Sequence, residues 1–128
     1  MSLKPDQRSP IGQVRGLGSA HSGTQHFWRQ RVTAVALVPL MLWFTYAMVS
    51  MAGAPYTAAA AFLQNPVNAV LMVLVIGVAL YHSTLGMQVV IEDYIRRDAS
   101  KIALLTLSFF FHLIAGLAGV FAVLRVAL

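Results

Sequence analysis

Two histidines stand where charged residues do not. His82 lies inside a run of 60 residues, Val32 to Ile91, without a single Asp, Glu, Lys or Arg, and His112 lies in the uncharged stretch between Lys101 and Arg125. A neutral imidazole in such surroundings can ligate a metal such as haem iron, relay a proton, or act as a neutral interhelical hydrogen-bond partner. Eleven residues after His82 come Asp93 and then Tyr94. At about 100° per residue, eleven steps end about 20° past three full turns. On a helix, Asp93 therefore shares the face of His82, about 16–17 Å further along the axis. A carboxylate beside a phenol there could hydrogen-bond a polar headgroup such as a quinone carbonyl. The plainer readings are a helix-end charge balanced by Arg96 or Arg97 and an aromatic-belt tyrosine. Gly86, one turn from His82, strips side-chain bulk from the same face, where a flat macrocycle could approach.

The elements that must position these groups follow from the distribution of charge. Of the 128 residues, 59% are apolar and 10% charged, against roughly 25% charged in soluble domains. Nine basic and four acidic side chains cannot coat a soluble globule of this size. The composition argues against a soluble enzyme, a disordered chain and a nucleic-acid-binding domain, and the absence of cysteine excludes disulfides and thiolate-held metal from this chain alone. What remains is a small all-α membrane protein forming one domain over residues 1–128. Turn formers at Gly53-Ala-Pro55 and Asn65-Pro66 divide the long uncharged run, and Asn65-Pro66 suits a capped helix start. Three transmembrane helices are expected at about 32–52, 67–91 and 102–124, each near the roughly 20 residues that cross a bilayer. His82 then lies roughly 13–14 Å from the end of the second helix and His112 roughly 15 Å from the start of the third.

Topology follows from the cations. Residues 1–31 carry five Lys/Arg, the 53–66 loop none and the 92–101 loop three. The positive-inside rule puts the N-terminal arm (1–31) in the cytoplasm and the C-terminus in the periplasm of a bacterial inner membrane, with Arg125 snorkelling to the interface. The first 25 residues hold no apolar run of signal-peptide length and read either as a disordered tail or as an arm that orders against another surface. Pro39 withholds a backbone donor in the first helix, which favours a kink or is tolerated for packing. Ala115 and Gly119, with Gly116 beside them, suit close helix approach in the third.

The block His82-Ser-Thr-Leu-Gly86-Met87-Gln-Val-Val-Ile-Glu-Asp93-Tyr94 resembles the second-helix signature of the small hydrophobic membrane-anchor subunit of succinate dehydrogenase, respiratory complex II. The segment Gly23-Thr-Gln-His26-Phe-Trp28-Arg29-Gln-Arg31-Val-Thr33-Ala34 is similar to that family's lead-in to helix 1, and the resemblance runs from about residue 18 to the end. It implies half of a heterodimeric haem-binding anchor bundle. The partners would be a second three-helix cytochrome b subunit, an iron–sulfur subunit and a flavoprotein subunit on the cytoplasmic side. Succinate oxidation, for which this chain has no acid–base pair, would take place on those soluble subunits. By the same resemblance His82 is an axial ligand of haem b, Tyr94 donates a hydrogen bond to ubiquinone, and Asp93 orders the charge network of the quinone site. Arg31 and, more weakly, His26 meet a haem propionate. His112 matches no ligand position of the family. It is expected to be a neutral packing or hydrogen-bonding residue, the competing reading being a haem pair held by one chain. The alternatives for the whole protein are an anchor or cytochrome b of fumarate reductase or another quinone-linked dehydrogenase, and a structural helper or small transporter. The absence of an acidic residue inside any span counts against a transporter.

Overall fold

The computed structural model describes residues 21–128, with side chains from Thr24 onward. Among the described residues four helices follow one another: α1 (His21–Ser50), α2 (Tyr56–Gln64), α3 (Pro66–Tyr94) and α4 (Asp98–Ala127). Three of them, α1, α3 and α4, are long and apolar enough to cross a membrane. These are the three expected spans, but each helix outruns its uncharged stretch. Charge marks where hydrocarbon ends, whereas a helix ends only where its backbone hydrogen bonds find a competitor or a breaker. Nothing between Thr24 and Pro39 is Gly or Pro, and residues 21–31, expected as the last part of the N-terminal arm, are helical and continuous with the first span. The remainder of that arm lies outside the described residues. At Pro39, α1 runs through without a break.

The loop expected at 53–66 contains a further element. Ala58–Ala61, the strongest helix formers, sit at the centre of α2, and the turn formers bracket it. Gly53 is the only described residue with positive φ, at 78°, and it turns the chain out of α1. Pro55 precedes α2 and Asn65-Pro66 follows it. Asn65 starts α3 as its sequence suggests: the side-chain oxygen accepts from the Val67 N–H at 2.9 Å, with Pro66 at the first helical position. The Asn68 amide ties back to the Phe62 carbonyl at 3.0 Å, and Trp43 of α1 stacks on Phe62 of α2 with centroids 6.1 Å apart. At the far end, Asp98 opens α4 and Arg125 closes it, each with the charge the helix dipole favours. Arg125 thus has a local reason for its position that is independent of topology.

The helices form a row with α3 in the middle. It packs against α1 on one side and α4 on the other, while α2 lies against α3 and α4. Four of the six buried apolar residues, Ala69, Val75, Leu85 and Ile91, belong to α3, as expected of the central member. The α3–α4 seam is drawn tight by Gly116 and Gly119. A Cβ at Gly119 would lie 3.3 Å from Ile76 and one at Gly116 would lie 3.4 Å from Leu80. The small-residue stretch therefore acts through its two glycines. Large apolar side chains on both outer helices face outward, among them Val35, Leu42 and Tyr46 on α1 and Leu107, Phe111 and Phe121 on α4. In water such faces would drive aggregation; in a bilayer they meet acyl chains or other helices.

Candidate functional site

Neighbouring residues on α3 point to different neighbours. His82 faces α1, where its Nδ1 lies 2.8 Å from the Thr33 hydroxyl. Ser83, one step on, faces α4, where its hydroxyl donates to Nε2 of His112 at 3.0 Å. The other nitrogen of His112, Nδ1, donates to the Ser108 carbonyl one turn back at 2.7 Å. His112 is 9% exposed and both ring nitrogens are engaged, so it is a hydrogen-bonded strut between α3 and α4. This is the role expected of it, and with Nε2 occupied it offers no ligand atom for a haem pair within one chain.

His82 differs at one atom. Its Nε2 has no hydrogen-bond partner among the described residues. Nearby on α1, His26, Gln30 and Thr33 fall on one face within an arc of roughly 60° by helical geometry. Two atoms of this stripe, His26 Nε2 and Gln30 Oε1, are sealed from the surroundings without a partner. Gln30 also lies over Gly86, its Nε2 3.7 Å from where a Cβ would stand. The half-buried face at Gly86 is thus approached from α1 by the end of the Gln30 side chain. Arg31 points away from this stripe. It is exposed, with its guanidinium carbon 5.0 Å above the Phe27 ring. His26 and Arg31, paired as propionate contacts by the resemblance, thus occupy different faces of α1.

Among the described residues no group of three or more His, Asp or Glu is placed to hold a metal ion. A haem would need no such group, because a porphyrin supplies four nitrogens of its own and takes a single imidazole from a chain. An imidazole with Nδ1 held and Nε2 unpartnered is the donor such a group takes. Asp93 and Tyr94 close α3, both exposed, Tyr94 at 80%. Among the described residues Asp93 has no ion pair, Arg96 and Arg97 included. Glu92 accepts instead from the Gln88 amide at 2.8 Å, leaving Asp93 and Tyr94 free at the end of the helix.

A family model, the succinate dehydrogenase/fumarate reductase transmembrane subunit, matches residues 5–115. The chain belongs to this family of membrane anchors. It is 39% identical over 90 residues to the succinate dehydrogenase hydrophobic membrane anchor subunit of Rickettsia bellii (strain RML369-C), covering 70% of this chain and 72% of that protein. With the subunit of the same description from Paracoccus denitrificans it shares 33% over 121 residues, 94% and 92% of the two chains. With the succinate dehydrogenase membrane anchor subunit of Reclinomonas americana it shares 26% over 84 residues. The anchor is thus a multi-pass membrane protein that works with other subunits of a complex.

Three residues join these polar contacts without being singled out by their type: Gln30 and Thr33 on the α1 side of α3 and Ser83 on the α4 side. A signal for two of them was present: His26, Gln30 and Thr33 recur at i, i+4 and i+7, the spacing of one helix face. For Ser83 the only signal was a polar side chain next to His82 inside a span.

Proposed function

We propose that this anchor, in a bacterial inner membrane with its N-terminus cytoplasmic, supplies one axial ligand of a haem b through His82 and part of a ubiquinone-reducing site through Tyr94 and Asp93. The observation that carries the first half is the state of His82: inside a span, with Nδ1 engaged by Thr33 and Nε2 without a partner. When bound, haem b supplies one-electron redox chemistry. The chain's own part is to hold an imidazole lone pair inside the span. A haem held there would be shared with a partner three-helix subunit, against which the exposed apolar faces of the row can pack. Arg31, exposed, can reach a propionate, whereas His26 Nε2 is sealed within the seam and is the weaker candidate. Arg31 is available from the opposite face. At the end of α3 the exposed Tyr94 hydroxyl can donate to a quinone carbonyl, while the Asp93 carboxylate holds a cationic group of a neighbouring subunit in place. The 92–101 connection, with Arg96, Arg97 and Lys101, then forms the docking face for the iron–sulfur and flavoprotein subunits.

The test is a reduced-minus-oxidised spectrum of the complex purified with its native partners. His82→Ala is expected to remove or grossly alter the haem b bands. An unaltered spectrum in an assembled His82→Ala complex would refute the ligand assignment.

A further inference from the structure

The Thr33 hydroxyl is fixed on three sides. Its Oγ1 lies 2.8 Å from the Arg29 carbonyl and 3.1 Å from the Gln30 carbonyl of its own helix, and 2.8 Å from His82 Nδ1 across the seam. Both carbonyls can only accept, and a hydroxyl has one proton to give. That proton is therefore spent on α1, and what Thr33 presents to α3 is a lone pair. The proton in the Thr33–His82 bond must come from the imidazole.

We propose that Thr33 is the positioning residue of His82: its back-bonded hydroxyl selects the Nδ1–H tautomer, leaves the lone pair on Nε2 and fixes the plane of the ring. The inference rests on the reading of His82 as an axial ligand and adds the group that prepares it. Ring nitrogens of metal-bound histidines commonly donate to an oxygen acceptor that orients the ring and raises its basicity. Here the acceptor comes from another transmembrane helix, so ligand strength depends on how α1 sits against α3. His112 supports the same logic from the other side of α3. It takes the Nδ1–H tautomer by donating to a carbonyl, and its Nε2 lone pair is consumed by the Ser83 hydroxyl. One tautomer serves both histidines, and only the one held by Thr33 keeps its Nε2 for a ligand.

The hydroxyl can be removed with little change of shape. Thr33→Val replaces it by a methyl group, Thr33→Ala removes the branch, and Thr33→Ser keeps the oxygen. The readout is the midpoint potential of the haem in the purified complex, with the electron paramagnetic resonance g-values of its ferric form. An acceptor on Nδ1–H strengthens the imidazole as a donor to ferric iron. Its loss is expected to weaken the preference for ferric over ferrous iron about tenfold, a positive shift of about 59 mV for a one-electron couple. Valine and alanine should both show the shift, and serine should restore the parent value. If valine and alanine fail to load haem, loading restored by serine supports the proposal equally. Unmoved potential and g-values in the valine and alanine variants would overturn it, as would a serine variant that behaves like valine, which would assign the effect to packing. The two readings separate cleanly. An intact haem spectrum in His82→Ala sinks the ligand assignment itself. Loss in His82→Ala with an unmoved Thr33→Val potential sinks this inference alone.

Discussion

The two sides of α3 use the same chemistry to opposite ends. Each carries a histidine in the Nδ1–H tautomer, held by an oxygen. On the α4 side the seam is closed: glycines let the helices approach, Ser83 occupies the second nitrogen of His112, and the residue is buried. On the α1 side the seam is left polar and incompletely paired. His82 is half-buried with a nitrogen to spare, and Gln30 and His26 carry sealed polar atoms without partners. A membrane interior penalises unpaired polar groups, so a satisfied seam serves stability and an unsatisfied one marks a place that something else completes.

The comparison can be broken most forcefully at the closed seam. Gly119→Leu forces a side chain into Ile76, which already lies 3.3 Å from the position of a Cβ. It is expected to cost about 1–3 kcal/mol and to lower the thermal stability of the detergent-solubilised complex. His112→Ala should cost less, roughly 1–2 kcal/mol, since interhelical hydrogen bonds in membranes are individually modest and one of the two lost here lies within α4. Stability should fall in both while haem content per assembled complex does not; a haem loss in either would join the two seams into one site. The smallest effect belongs to Tyr94→Phe, which removes only a hydroxyl from an exposed helix end. Quinone reduction in isolated membranes should fall roughly 3–10-fold, the value of one hydrogen bond, with succinate oxidation by artificial dyes unchanged. A parallel fall of both activities would point to an assembly defect.

Much of this was legible in the residues. Uncharged runs located the three spans because hydrocarbon tolerates few charges, Asn65-Pro66 announced its helix start, and the isolation of His82 and His112 marked both as exceptional. The short helix α2 was hidden because an apolar, alanine-rich segment between turn formers has the composition of a loop at a membrane surface and of a helix alike. The extension of α1 back to residue 21 was hidden because charge pattern reports solvent and not backbone hydrogen bonding. The pairing of Thr33 with His82, 49 residues apart, and of Ser83 with His112 depends on the rotation of each helix about its axis. The stripe of His26, Gln30 and Thr33 marks one face of α1, but the nearly uniform apolarity of α3 and α4 leaves their rotation unmarked, and the contacts between side chains reveal it.

The measurement that bears most directly on the division of labour is the reduced-minus-oxidised spectrum of His82→Ala and His112→Ala complexes, purified side by side and normalised to assembled subunits. The haem b bands should vanish or shift in the first and persist in the second. Bands that persist in His82→Ala and vanish in His112→Ala would contradict the account.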